Sequence, residues 1–266
     1  MLGLMKVWGR TSSSNTQKVL WVLEELNLDY KLIPASARLG PTSEFLETGP
    51  AFGLVGTDEY AEMNPHQLIP TLKDVSPGHD EPVVVFESHS IVRYLSMEYG
   101  PNLYGGTASG MAKASQWMDW VLAGNDYAPS FGSPNHHMID EVARTPPTKR
   151  RMDVIMRYHR EYCDKLAVAE AELEKTGAPW LAGGADMTLA DVPFGAELNR
   201  WSLCVHACAR DGVDVCELSG RQAAFPRLRE YYTRLLQRPA FRAQVYDLEL
   251  AHQRLEGEEL GLAGAE

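Results

Sequence analysis

The residues best suited to bind a small molecule are Ile69-Pro70 and, further along the chain, Glu87-Ser88. A proline removes one donor from a sheet, so it belongs at the first residue of a strand or at a sheet edge. We predict a cis Ile69-Pro70 bond, which would turn the N–H and C=O of Ile69 outward, free to pair with an extended ligand. Ser88 lies where a strand pattern changes into a helical one, so its hydroxyl and the nearby N–H groups can bind a carboxylate. Because Glu87 can receive an ammonium group, these residues together predict a site for a small zwitterionic peptide.

Composition excludes several classes of partner. The chain has 266 residues and a formal net charge of −11, and its pI is about 5.2. Nucleic acids and anionic membranes need clustered Lys and Arg, so neither is an expected partner. No apolar run approaches the roughly 20 residues of a membrane span, and residues 1–5 are too short for a secretory signal. We therefore expect a cytoplasmic protein.

The cysteines predict neither a disulfide framework nor a metal site. All four follow residue 162: Cys163, Cys204, Cys208 and Cys216. Cys204, His206 and Cys208 resemble a ligand cluster, but two cysteines four residues apart are more typical of a buried helix face. We therefore expect no metal cofactor, and Cys204 and Cys208 to lie inside a helix.

The first hundred residues predict a small mixed sheet with helices packed against it. A short strand at 6–8 precedes a polar loop at 10–15, and Asn15 is a candidate N-cap for the helix that follows. Further strands are expected at 30–33, 71–73 and 83–86, and a helix should run from Ser88 to about Tyr99. The segment from Pro34 to Asn64 is long for a connection inside a compact domain, and such segments are often functional.

Beyond residue 100 the strand patterns stop. A Gly- and Ser-rich stretch at 101–110 predicts a linker. Helical spacing then recurs at 111–122, 152–173 and 228–236. Thr188-Leu189-Ala190-Asp191 predicts another helix start, in which Asp191 replaces the usual Glu of a capping box. The expected organisation is an α/β domain at 1–100, a linker at 101–110, an all-α domain at 111–252 and a mobile tail at 253–266.

These motifs, in this order, resemble the cytosolic glutathione S-transferases, which have a thioredoxin-like domain followed by an all-helical one. The resemblance covers nearly the whole chain, and the segments that carry it are Trp8-Gly9-Arg10, Asn64-Pro65, Ile69-Pro70, Glu87-Ser88, Ile91 to Leu95, Thr188 to Asp191 and Arg238 to Phe241. The chain is similar to a bacterial, GstB-like subgroup at Trp8-Gly9-Arg10, at residues 13–15 and at Arg144-Thr145-Pro146-Pro147. Two features depart from the family pattern: the segment from Gly40 to Tyr60 is long, and Gln67 replaces a common glycine.

The resemblance implies that glutathione is the co-substrate. Its cysteinyl amide would pair with Ile69, and its γ-glutamyl group would bind Glu87 and Ser88. The glutathione-binding residues expected on this basis are Arg10, Gln67, Ile69, Pro70, Glu87 and Ser88. With no cysteine before Cys163, the chain cannot supply a CxxC or single-cysteine nucleophile there, so disulfide reductases are not leading candidates.

The glutathione thiol itself must then be activated. Lowering its pKa from about 8.5 to roughly 6.5 requires about 3 kcal/mol. One charge-assisted hydrogen bond of about 1.5–3 kcal/mol and a helix N-terminus of about 0.3–1 kcal/mol are sufficient. Ser13 is the first candidate donor, with Ser14 and Asn15 as alternatives. Arg144, a cation in an acidic protein, is expected to stabilise the thiolate or an anionic electrophile.

The resulting hypothesis is a cytoplasmic, homodimeric transferase with a role in detoxification. Its glutathione thiolate would attack a small hydrophobic or halogenated electrophile bound mainly by the helical domain. Two alternatives remain open. The same thiolate could support glutathione-dependent peroxidase or dehalogenase activity, or the chain could be a non-catalytic binding module whose segment from Gly40 to Tyr60 covers the site or binds a partner.

Overall fold

The computed structural model describes residues 5–36, 55–76, 78–123, 132–143, 145–220 and 225–253. The chain divides into two compact units, Met1–Pro101 and Asn102–Glu266. The first unit contains all the strands of the described residues, and the second is helical. The expected fold class, an α/β thioredoxin-like domain followed by an all-α domain, is confirmed.

The first unit is built on a four-stranded mixed sheet of order β2-β1-β3-β4. Strand β1 is parallel to β2 and antiparallel to β3, and β3 is antiparallel to β4. The elements of this unit are β1 (Met5–Gly9), α1 (Ser14–Glu25), β2 (Tyr30–Pro34), α2 (Asp58–Met63), β3 (Thr71–Asp74), β4 (Val83–Phe86) and α3 (Ser88–Tyr99). The expected strands and the helices α1 and α3 are observed in the expected order, whereas α2 lies in the segment that was expected to be a long connection.

Helices α1 and α3 pack against each other. The core of this unit includes Val7 and Leu72 from the central strands, Leu20 from α1, and Ile91 and Leu95 from α3, all of which are fully buried. Residues 91 and 95 are one helical turn apart, so they lie on the same face of α3. This packing fixes the N-termini of both helices relative to the sheet.

The second unit contains α4 (Ala108–Leu122), α5 (Gly132–Val142), α6 (Met152–Thr176), α7 (Asp191–Arg210), α8 (Val215–Ser219), α9 (Pro226–Leu236), α10 (Pro239–Phe241) and α11 (Asp247–Gln253), with a π-helical turn at Arg242–Tyr246. Helix α7 is buried along nearly its whole length. Arg200 of α7 forms a two-pronged ion pair with the buried Glu249 of α11, with nitrogen–oxygen distances of 3.2 and 2.8 Å. This ion pair connects α11 to the buried helix α7.

The stretch at 101–110, predicted to be a linker, contains regular structure. A 3₁₀ helix occupies Pro101–Tyr104, and α4 begins at Ala108, before the expected residue 111. Gly105 has φ +100°, and a Cβ at Gly110 would lie 2.1 Å from the Gly105 oxygen. These glycines therefore allow two backbone segments to approach closely. The Gly-rich stretch that was expected to be a flexible linker forms a tight turn instead.

Only half of the reciprocal bonding predicted for Thr188 and Asp191 is present, because the Thr188 hydroxyl accepts the Ala190 N–H at 3.3 Å and not the Asp191 N–H. The Asp191 carboxylate accepts the Thr188 N–H at 2.9 Å and the Leu181 N–H at 3.1 Å. Burial raises the pKa of Asp191 to about 6, although these backbone donors favour its charged form. Helix α7 begins at Asp191, and residues 188–190 form the turn that precedes it.

No helix among the described residues is long and apolar enough to cross a membrane. Within the same residues, no group of three or more His, Cys, Asp or Glu side chains could bind a metal ion.

We expect Asp191→Ala to destabilise the chain by ~2–4 kcal/mol, because it leaves two buried backbone N–H groups without an acceptor. Chemical denaturation of the variant and the native chain measures this loss. Asp186→Ala is the matched control, since Asp186 is exposed in the same loop and its removal should change stability by less than about 0.5 kcal/mol. Equal effects of the two substitutions would contradict the assigned role.

Candidate functional site

The Ile69-Pro70 peptide bond is cis, as predicted. It lies in the loop that leads into β3, immediately before Thr71. Pro70 is buried and Ile69 is partly buried. Within the described part of the chain, neither the N–H nor the C=O of Ile69 has a backbone hydrogen bond. The loop therefore presents an unused donor and acceptor to an extended ligand.

Three buried polar side chains fix this loop. The hydroxyl of Tyr60 donates to the Leu68 carbonyl at 2.7 Å, and Nδ2 of Asn64 donates to the same oxygen at 2.9 Å. Asn64 also donates to Thr71 Oγ1 at 3.0 Å, and the hydroxyl groups of Tyr60 and Thr71 are hydrogen-bonded to each other at 2.8 Å. Burial raises the pKa of Tyr60, so its hydroxyl keeps the proton that it donates.

Sequence reasoning missed Tyr60 and Thr71, and it used Asn64 only as a family motif. The Oδ1 atom of Asn64 accepts the His66 N–H at 3.0 Å, so both ends of its amide contribute to the loop. The ring of Tyr60 packs in a small core with Ala35 and Val55, and Ile69 packs against that core. An isolated Tyr in a long connection gives no sequence signal of this role.

Gln67 stands where the family commonly has glycine, and the backbone conformation explains why glycine suits this position. It has φ +50°, in the left-handed region where glycine has no steric cost. The side chain is exposed. The expectation that Gln67 binds glutathione stays a prediction.

Glu87 and Ser88 form the junction between β4 and α3. Glu87 occupies the N-cap position with φ +67° and ψ 116°, an unusual conformation for a residue with a side chain. Its carboxylate does not cap the helix and lies 3.4 Å from Nδ1 of the exposed His66. Ser88 is buried and begins α3, whose first amides lack intrahelical acceptors. The junction therefore combines a carboxylate with an anion-binding helix N-terminus.

The loop between β1 and α1 carries the candidate thiol-activating residues. Ser13 is the N-cap of α1 and makes no capping bond through its side chain; Ser14 and Asn15 are the first two helical residues. The prediction that Asn15 is the N-cap is wrong, because the helix begins one residue before it. Arg10 donates to Ser12 Oγ at 2.5 Å, which places Arg10 within the same loop.

Asn15 and Ser88 are brought together across 73 residues of sequence. Ser88 Oγ donates to Asn15 Oδ1 at 3.3 Å, and the same oxygen accepts from Lys18 Nζ at 3.1 Å. The start of α1 thus meets the start of α3, while His66 connects the cis-proline loop to Glu87. Three segments chosen separately from the sequence converge on one surface of the first unit.

Three of the predictions fall on segments that the structure does not describe in full. The tail expected at 253–266 lies outside the described residues from position 254 onward. Arg144 lies outside the described residues. Of the segment from Gly40 to Tyr60, the described part begins at Val55, and its end supplies Tyr60 to the loop network.

The cysteines of α7 are buried, as expected. Burial raises the pKa of Cys204, and it raises the pKa of Cys208 to about 11. Both thiols are therefore protonated and poor nucleophiles.

Comparison with known proteins finds glutathione S-transferases. The family model "Glutathione S-transferase, N-terminal domain" matches residues 12–97. The chain is 29% identical over 245 residues to glutathione S-transferase GstB of Escherichia coli, covering 91% of this chain and 98% of that protein. It is also 29% identical to the E. coli disulfide-bond oxidoreductase YfcG, covering 90% and 94% of the two chains.

A solved structure extends the likeness to three dimensions. It is the theta class glutathione S-transferase of Xanthomonas axonopodis pv. citri with glutathione bound, 29% identical, with a TM-score of 0.68 and coverage of 92% and 98%. The fold is that of a glutathione transferase. Residues 12–97 match the N-terminal domain of the glutathione S-transferase family, and the chain is similar to GstB over nearly its whole length.

The conformation of Glu87 predicts that a glycine variant will be more stable than an alanine variant at this position, the reverse of the usual order in a helix. Glu87→Gly and Glu87→Ala both remove the carboxylate, but only glycine adopts φ +67° without steric cost. We expect Glu87→Gly to be more stable than Glu87→Ala by about 1 kcal/mol, as measured by chemical denaturation.

The same pair of substitutions at Glu98 is the control. Glu98 is exposed on α3 and has ordinary helical geometry, so glycine there should be less stable than alanine by about 0.5–1 kcal/mol. The same order of stability at both positions would show that Glu87 is not strained.

Proposed function

We propose that the first unit binds glutathione across the surface formed by the cis-proline loop, the start of α3 and the start of α1. The cysteinyl amide pairs with the free backbone groups of Ile69, the γ-glutamyl ammonium with Glu87, and the γ-glutamyl carboxylate with Ser88 and the first amides of α3. The single proton of the Ser88 hydroxyl then turns from Asn15 Oδ1 to the ligand carboxylate. The contact between Ser88 and Asn15 is the observation that carries the proposal, because it joins the peptide-binding part of the site to the candidate thiol donors.

The reaction that this arrangement supports best is transfer of the glutathionyl group to an electrophile. The thiol loses its proton, and the thiolate attacks the electrophilic carbon; with a halogenated substrate, a carbon–sulfur bond forms as halide leaves. The chain contributes hydrogen-bond donors and the positive end of α1, which favour the charged sulfur. Asn15 is the donor best supported by geometry, with Ser13 and Ser14 as alternatives. Arg144 is retained as a residue that stabilises the thiolate or an anionic electrophile.

A second reaction is favoured by one relative. YfcG is a disulfide-bond oxidoreductase and is as similar to this chain as GstB is. A bound glutathione thiolate can attack a disulfide sulfur and release the other sulfur as a thiolate, so this chemistry requires no protein cysteine. The expectation that disulfide chemistry is disfavoured assumed that the protein supplies the attacking thiol.

By resemblance to the family, we propose that the protein is cytoplasmic, forms a homodimer and has a role in detoxification.

Calorimetric titration with glutathione tests the binding site. We expect the native chain to bind with a Kd between about 1 µM and 1 mM, and Glu87→Ala combined with Ser88→Ala to weaken binding at least tenfold, because ammonium and carboxylate partners are both lost. Glu98→Ala, on the exposed face of α3, should bind as the native chain does. No detectable binding by the native chain would contradict the proposal.

Turnover distinguishes the candidate donors and the two reactions. With a chlorinated nitrobenzene as electrophile, we expect Asn15→Ala to lower kcat by about 100-fold, equivalent to about 2.7 kcal/mol of lost thiolate stabilisation. Ser13→Ala should lower it by less than tenfold. A parallel assay with a small dialkyl disulfide measures the second reaction in the same variants. A larger loss in Ser13→Ala than in Asn15→Ala would move the role to Ser13.

A further inference from the structure

Lys18 is a buried cation close to the candidate thiol site. It lies on α1 and is only 3% exposed. Its Nζ donates to Asn15 Oδ1 at 3.1 Å, and Ser88 Oγ donates to the same oxygen at 3.3 Å. A lysine is rarely buried, because removing its charge from water is costly. Protein groups, and not water, must therefore stabilise the Lys18 side chain at this position.

The contact with Lys18 determines which way the Asn15 amide faces. An ammonium group has three donors and no acceptor, so the amide atom that faces it must be the oxygen. The Ser88 hydroxyl reinforces this choice by donating to the same atom. Nδ2 is then the amide atom on the side away from Lys18. Asn15 is exposed, and its Nδ2 has no hydrogen bond within the described residues.

Two ionisable side chains of α3 lie near Lys18. His89 and Arg93 face it from α3, and burial, with the charges of Lys18 and Arg93, lowers the pKa of His89 to about 2. His89 is thus neutral, and both of its ring nitrogens lack partners in the described structure. The carboxylate of Glu87, at the N-cap of α3, lies beside His66 at the exposed surface.

We propose that Lys18 is a positioning residue for the thiolate. Its ammonium holds the Asn15 carboxamide with the oxygen inward, so that Nδ2–H donates to the sulfur of bound glutathione. This inference rests on the proposed glutathione chemistry and adds the residue that orients the donor. In the complex the Ser88 hydroxyl donates to the γ-glutamyl carboxylate, so loss of Lys18 leaves the amide free to flip, and an oxygen facing the sulfur repels the thiolate.

The pKa of the bound thiol is the direct test, measured from the thiolate absorbance near 240 nm of the glutathione complex as pH is varied. We expect Lys18→Met to raise this pKa by about one unit or more. Lys18→Arg, which keeps a cationic donor, should remain closer to the native value. Lys31→Met, an equal charge change at an exposed site, should leave the thiol pKa unchanged. Binding of S-methylglutathione, which has no thiol, should be similar in all four chains.

Two further variants separate positioning from a direct effect of charge. In an Asn15→Ala background, Lys18→Met should add little to the thiol pKa, because the residue through which it acts is gone. Asn15→Asp keeps an oxygen for Lys18 but has no N–H, so it should raise the thiol pKa as Asn15→Ala does. Lys18→Gln carries the test if Lys18→Met does not fold: its uncharged amide can accept from Asn15 Nδ2 as well as donate to Oδ1, so it should also raise the thiol pKa.

The outcomes for the two proposals are distinct. A native chain that binds neither glutathione nor S-methylglutathione overturns the proposed function. A native chain that binds glutathione and lowers its thiol pKa, while Lys18→Met has the native thiol pKa, overturns the role of Lys18 alone. A full-sized effect of Lys18→Met in the Asn15→Ala background overturns the positioning mechanism.

Discussion

The site depends on the buried hydrogen bonds that hold the Leu68 carbonyl. Tyr60 and Asn64 both donate to that oxygen, and Thr71 connects the two donors. With Leu68 fixed on one side and Pro70 buried on the other, the intervening peptide of Ile69 has little freedom. A ligand that pairs with this peptide therefore does not need to order it, and preorganisation of this kind increases affinity by lowering the entropic cost of binding.

Helix packing brings the other half of the site to this loop. The starts of α1 and α3 approach because their apolar faces pack together, and the contact between Asn15 and Ser88 follows from that packing. Each helix start contributes unpaired amides and a partial positive charge. A protein with a net charge of −11 can thereby favour an anionic thiolate and carboxylate through local dipoles and a buried lysine.

Much of the first unit could be predicted from sequence because its signals are local. Ile69-Pro70, the strand at 83–86 and the helix from Ser88 each follow from residue type and period, and the structure has them where they were expected. Long-range bonds leave no such signal. Neither Tyr60, fixed by an atom eight residues away, nor Lys18, buried beside an amide that looked like a cap, could be assigned a role from its neighbours in sequence. The glycines at 105 and 110 were misleading because the same composition suits a flexible linker and a close backbone crossing.

A crystal structure of the chain with glutathione tests the central claim most directly. The account predicts that the cysteinyl amide pairs with the backbone of Ile69, that the γ-glutamyl carboxylate lies on Ser88 and the first amides of α3, and that the sulfur lies within hydrogen-bonding distance of Asn15 Nδ2. Glutathione bound elsewhere, or a backbone of Ile69 that stays unpaired at saturating glutathione, would contradict it.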